Sequence, residues 1–245
     1  MLKIDIRRRQ ILERLARDGR VQVSQLSAAF DATPATIRND LSALELEGRL
    51  VRVQGGAIPA ASPAALGDHT SEKQSIGRAT ARLIQDGDRL FINSGTTAQA
   101  VAASLRGHRE LHIVTNALAV ARLLGDTFHV LLLGGELNAR DGFTHGEDAL
   151  MQLARYQADW AILSVDSISA SEGITLCHSE ETAVSRRMLE RAGRGIIAAD
   201  HTKVGRAGFV RVCHAVAPLM LVTDSAANRD ALRALEGNGV EIHIG

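Results

Sequence analysis

The chain has 245 residues, 45% of them hydrophobic and 23% charged, with acidic and basic side chains in equal number. That composition supports one or two globular domains with a sizeable core and excludes a disordered chain. Only two cysteines, Cys177 and Cys213, are present, which excludes a disulfide framework, and with no signal peptide or long apolar run a soluble cytoplasmic protein is expected.

The charge is unevenly spread. Residues 1–56 carry ten Lys/Arg against seven Asp/Glu, a net of +3, which leaves −3 on the remainder. A basic head of this kind points to a polyanion partner if its local pattern agrees. Ile4, Ile11, Leu12 and Leu15 have helical spacing, and Gly19 is read as the stop of that first helix. Ser24 is placed to cap a short second helix that buries Leu26 and Phe30, with "DATP" as the turn after it. Thr33 before Pro34 predicts the start of a third helix, with a hydroxyl cap followed by proline at the first helical position. Its inward residues are Ile37, Leu41 and Leu44 at i, i+4 and i+7.

The opposite face carries Ala35, Thr36, Arg38, Asn39 and Ser42. Small and hydrogen-bonding groups near a helix N-terminus suit a DNA major groove, with Arg fitted to guanine and Asn to adenine edges. The following "GRLVRVQGGAI" reads as a short wing that displays Arg49 and Arg52. Arg7 and Arg8, with Arg9 beside them, are placed to hold backbone phosphates, which position a protein without reading sequence. Taken together, "RRRQILERLARDGRVQVSQLSAAFDATPATIRNDLSALELEGRLVRVQGGA" resembles the winged helix-turn-helix head of the DeoR family of bacterial regulators, notably in "TIRNDL" and the final "GGA". The resemblance implies double-stranded operator DNA as partner, with Thr33 keeping the cap where the family often has serine.

The head is taken to end at 57, and 58–70, with Pro59 and Pro63 among alanines, is read as a linker. Over 71–245, helical patterns alternate with "LFIN", "HIVTN", "VLLLGG", "WAILSVD", "GIIAAD" and "LMLVTD". Short apolar runs between helices predict buried parallel strands, hence a doubly wound α/β domain. Ligands in such sheets bind beyond the carboxyl ends of the strands. The candidate site there comprises Ser94, Gly95, Thr96 and Thr97, then Thr115 and Asn116, Gly134, Gly135 and Glu136, Asp166, and Asp200 with Lys203. Glu180 and Glu181 are added because they open a helix after the loop "SISASEGITLCH". "SGTT" between a strand and a helix is read as an anion-binding loop at a helix N-terminus. The histidines lack ligand spacing, so no metal is expected.

The body resembles the DeoR family's C-terminal sensor domain in "INSGTT", "VTNALAV", "LLGGELNARDGFTHG", "EGITLCHSEETAVSRRM" and "AADHTKVGRAGF". The resemblance implies a fold related to ribose-5-phosphate isomerase and a phosphorylated sugar as effector, with no further cofactor. It also raises an alternative, a sugar-phosphate isomerase with an accessory head. Against that, "DSIS" has Ser169 where the isomerase has a second acid, and the isomerase's loop lysine has no counterpart. General acid and base catalysis needs a complete positioned set. The anion is therefore expected to be sensed, by a repressor of a carbohydrate-use operon that works as a homo-oligomer, dimer or tetramer, on a two-fold operator.

Overall fold

The computed structural model describes residues 3–18, 21–46, 49–53, 55–59 and 69–245. The chain forms two compact units, Met1–Asp68 and His69–Gly245.

The first unit follows the predicted order: α1 (Lys3–Asp18), β1 (Val21–Gln22), α2 (Val23–Phe30), α3 (Pro34–Leu46), β2 (Leu50–Val53) and β3 (Gly56–Pro59). Ile11, Leu15, Leu26, Ile37, Leu41 and Leu44 share one core, as their spacing requires. Ile4 departs from its expected inward place and is 38% exposed, because the core of this small unit covers only the later turns of α1. Ser24 is not the cap of α2, since the helix begins one residue earlier with Gln22 at the N-cap position and no side-chain cap bond. Phe30 is only half-buried, with the Arg14 guanidinium 5.0 Å over its ring. The wing is an antiparallel sheet in the order β1-β3-β2. Its last strand runs to Pro59 and the next helix starts at Thr70. Most of the expected linker, 60–68, and Gly19 lie outside the described residues.

The second unit is an α/β domain around a seven-stranded sheet. Its first half runs α4 (Thr70–Ala81), β4 (Arg89–Ile92), α5 (Thr96–Leu105), β5 (His112–Thr115), α6 (Leu118–Leu124) and β6 (His129–Leu132). A hairpin, β7 (Glu136–Asn138) and β8 (Phe143–His145), leads to α7 (Glu147–Leu153) and β9 (Ala158–Ser164). Then come β10 (Ser167–Ser169), β11 (Gly173–Leu176), α8 (Ser179–Glu190), β12 (Ala192–Ala198), a 3-10 turn (His201–Lys203), β13 (Val210–Cys213), β14 (Leu219–Thr223), α9 (Arg229–Gly237) and β15 (Glu241–Ile244). The sheet order is β15-β14-β12-β9-β4-β5-β6, and all its pairings are parallel. One face packs on α4, α5 and α6 through Ile76, Val101 and Val120. The other packs on α7, α8 and α9 through Leu153, Val184 and Leu235.

All six predicted runs are strands of this sheet. The segment expected as a loop before Glu180 is instead a hairpin, β10 with β11, to which β13 adds a third antiparallel strand. The topology fixes where a ligand belongs. From β4 the chain winds outward through β5 and β6, then returns to β9 on the other side of β4. A doubly wound sheet opens its crevice where the winding reverses, beyond the strand carboxyl ends. Here that point lies between the ends of β4 and β9.

Candidate functional site

Two surfaces carry chemistry, one on each unit. In the first unit, the Thr36 backbone N–H donates to Thr33 Oγ1 at 3.2 Å, so the predicted cap of α3 forms. Ala35, Arg38 and Asn39 are exposed on the first turns of that helix, with Thr36 half-buried beside them. Arg49 is exposed at the start of the wing. Arg52 is held against α3, with Nε 3.3 Å from Glu45 Oε2 and a guanidinium hydrogen bond to Ser42 Oγ. Its backbone N–H also donates to Glu45 Oε1 at 2.8 Å, which ties the wing to the helix. Arg7 and Arg8 are both engaged by Asp40, at 2.5 and 3.2 Å.

In the second unit, the loop after β4 sits at the winding reversal. Asn93 fastens the ends of β4 and β9: the Ser164 N–H donates to its Oδ1 at 2.7 Å, and its Nδ2 donates to the Ser164 carbonyl at 2.9 Å. Gly95 then turns into α5 with φ of 120°, and a Cβ there would lie 2.6 Å from Ser164 Oγ. Only glycine allows that conformation and that approach. The first amides of α5, at Thr96 and Thr97, have no carbonyl four residues back, so the loop presents donors and the positive end of a helix.

Glu181 meets this loop, and Asp166 and Lys203 follow from it in turn. Ser94 Oγ donates to Glu181 Oε1. Glu181 is 7% exposed, and burial pushes its pKa up to about 7; the Ser94 bond opposes that rise and Asp166 adds to it. Asp166 Oδ2 accepts from the Cys177 backbone N–H at 2.7 Å, and its Oδ1 is 4.0 Å from Lys203 Nζ. The hydrogen bond to Asp166 holds the Cys177 thiol above its ordinary pKa, with burial adding to the rise. The loop, Glu181, Asp166 and Lys203 thus form a chain of neighbours, the loop through Ser94 to Glu181, Glu181 under the field of Asp166, and Asp166 to Lys203. Such a set can bind an anion and the hydroxyls attached to it.

The other predicted residues are either held by hydrogen bonds and packing or exposed. Thr115 is fully buried, donating to the Ile92 carbonyl at 2.6 Å and accepting from the Ala117 N–H. Asn116 is fully buried and donates to the Thr144 carbonyl at 3.0 Å, while its Oδ1 has no partner. The Gly134 N–H is taken by Gln152 Oε1 at 3.0 Å. Gly135 has φ of 126° and packs where a Cβ would meet the His145 carbonyl at 2.3 Å. Glu136 is exposed in β7. Asp200 is 1% exposed and accepts from the Thr202 N–H and hydroxyl, so it shapes the turn that carries Lys203. Glu180 points to solvent, where hydrogen bonds from its own backbone N–H and from Ser179 hold its carboxyl below the usual range. Ser169 Oγ accepts from the Glu172 N–H at 3.1 Å. Asp40, Asn93 and Ser164 were not singled out by the sequence. Among the described residues, no group of three or more His, Cys, Asp or Glu is placed to hold a metal, and no helix is long and apolar enough to cross a membrane.

A winged helix-turn-helix unit followed along the chain by a doubly wound α/β unit has the make-up of a DNA-binding transcription regulator. The family model described as DeoR-like helix-turn-helix domain matches residues 7–62, and that described as DeoR C terminal sensor domain matches 68–225. The chain belongs to the DeoR family. It is 32% identical over 243 residues to the HTH-type transcriptional repressor GlcR of Bacillus subtilis, covering 96% of this chain and 93% of that one. It is 31% identical over 242 residues to the glycerol-3-phosphate regulon repressor of Escherichia coli, covering 96% of each chain. Among solved structures it is similar to ribose 5-phosphate isomerase A from Methanocaldococcus jannaschii, at 14% identity and TM-score 0.40 over 58% of this chain and 55% of that one. With a matched DNA-binding head and relatives named as repressors, the regulator stands and the isomerase alternative gives way.

Proposed function

We propose that the chain represses a carbohydrate-use operon in the cytoplasm, binding a two-fold operator as a homo-oligomer and letting go when a phosphorylated sugar enters the crevice. The observation that carries this reading is the loop at the start of α5 tied through Ser94 to buried Glu181, with Asp166 acting on Glu181 and lying 4.0 Å from Lys203. The amides and hydroxyls of Ser94, Gly95, Thr96 and Thr97 take the phosphate, as helix N-termini do. Lys203 adds positive charge, while Asp166 and Glu181 take sugar hydroxyls. Thr115, Asn116, Gly134, Gly135 and Asp200 shape the crevice, and Glu136 and Glu180 stand at its rim. The relatives named for a glycerol-3-phosphate regulon support an effector that carries phosphate. On the head, Ala35, Thr36, Arg38 and Asn39 meet base edges, while Thr33 sets the helix start and Arg7, Arg8, Arg49 and Arg52 lie toward phosphates. The head closes with β3 at Pro59, and the chain between it and α4 joins it to the sensor.

A ligand that binds only the folded state adds about 2.7 kcal/mol at 100 times its dissociation constant. For a sensor of this size the melting temperature should rise by about 5 to 10 °C, at roughly 2 to 4 °C per kcal/mol. The test is thermal melting of the full chain against a panel of sugars and their phosphates. A rise with one phosphorylated compound, far smaller with its unphosphorylated form and reduced by Lys203→Ala, is the expected result. Equal rises with both forms would place recognition elsewhere than the anion loop.

A further inference from the structure

Asp40 stands in the middle of the helix that presents Arg38 and Asn39, yet its side chain is turned inward and is 1% exposed. A carboxylate taken out of water must be paired and hydrogen-bonded to persist. Its partners come from one neighbouring helix. Arg7 Nε reaches Asp40 Oδ2 at 2.5 Å and Arg8 Nε reaches Oδ1 at 3.2 Å, so each oxygen holds one guanidinium of α1. The two arginine side chains remain 20% and 26% exposed. Both therefore reach Asp40 while part of each side chain stays exposed.

The balance of charge has a consequence for DNA. Asp40 offsets one positive charge of the arginine pair. Phosphate affinity grows with each charge neutralised and is blind to sequence, so an extra cation on α1 would tighten binding to any duplex. A carboxylate locked beneath the two arginines occupies donors that a phosphate would otherwise take, and it does so on the same helix that reads bases. We propose that Asp40 is a specificity-determining residue of the DNA interface: by holding Arg7 and Arg8 it offsets one of their charges, sets the position of both on α1 relative to α3, and restrains non-specific binding.

The inference rests on duplex binding by the head, and a charge-count cycle on the full chain tests it. The readout is affinity for a random-sequence duplex as a function of salt, with melting recorded for each variant. One phosphate contact changes the slope of log affinity against log salt by about 0.9. Asp40→Asn is expected to steepen the slope by about that amount and to lower the ratio of operator to random-duplex affinity. Arg7→Gln, which keeps the Arg8–Asp40 pair, should flatten the slope by a similar amount. The double variant should return to the wild-type slope. A carboxylate with a purely packing role would make Asp40→Asn melt lower and leave its slope at the wild-type value, which overturns the proposal. If Asp40→Asn fails to fold, Asp40→Ser takes its place: a steeper slope supports the proposal and an unchanged one overturns it. A wild type with no measurable duplex affinity would overturn the DNA reading as well.

Discussion

Replacing Glu181 by Gln should abolish a loss of stability, about 3 kcal/mol, that the wild-type protein undergoes as pH rises from 5 to 8. The folded-state pKa of Glu181 is about 7 against 4.5 for an ordinary glutamate. Between those values the folded protein keeps the proton and the unfolded chain releases it. Stability from the neutral buried carboxyl is thus complete below pH 4.5, declines through the window between the two values, and is gone above pH 7. A shift of about 2.5 units at 1.36 kcal/mol each gives the stated size. Glutamine keeps the shape and can still accept from Ser94, but it cannot ionise. The difference in melting temperature between variant and wild type should therefore widen by about 6 to 12 °C from pH 5 to pH 8. Comparing the two proteins cancels the pH dependence of every group they share, so the difference reports Glu181 alone. Parallel melting curves across that range would show that Glu181 ionises as freely in the folded protein as in water.

Arg38→Ala and Asn39→Ala are each expected to cost about 1 to 3 kcal/mol of discrimination between the operator and a scrambled duplex at fixed salt. Both side chains are exposed on the first turns of α3, and the Thr33 cap that sets the start of that helix is formed. A bidentate contact to a base edge is lost only on the cognate sequence, so the operator should weaken while the scrambled duplex barely changes. Equal weakening on both duplexes would mean that these residues touch backbone alone.

Most of the frame was legible in the sequence because it is written in local signals. The threonine-proline start of α3 and the apolar runs of the parallel strands need no distant partner to be recognised. The missed strand β15 is an edge strand whose residues alternate in character and leave Ile244 half exposed. It lacks the continuous apolar run of its buried neighbours. The hairpin of β10 and β11 was hidden because its turn is rich in small polar residues, which read as loop. The site divides in the same way. Gly95 and the hydroxyls around it announce an anion loop by type and order. Nothing local separates Glu180 from Glu181, and only packing beneath Ser94 buries one and exposes the other. Asp40 is harder still. An acid two residues after Arg38 looks like part of the solvated face, and its partners lie more than thirty positions earlier on α1.

Release of DNA by the effector is the most direct measurement of all. The full chain is bound to a labelled duplex from the region upstream of its own gene and titrated with sugar phosphates and their unphosphorylated forms. At least one phosphorylated sugar that raises the melting temperature should also weaken duplex affinity by about 5- to 150-fold, the usual range of coupling between two sites. A sugar phosphate that stabilises the protein in the same buffer yet leaves duplex affinity unchanged would contradict the account.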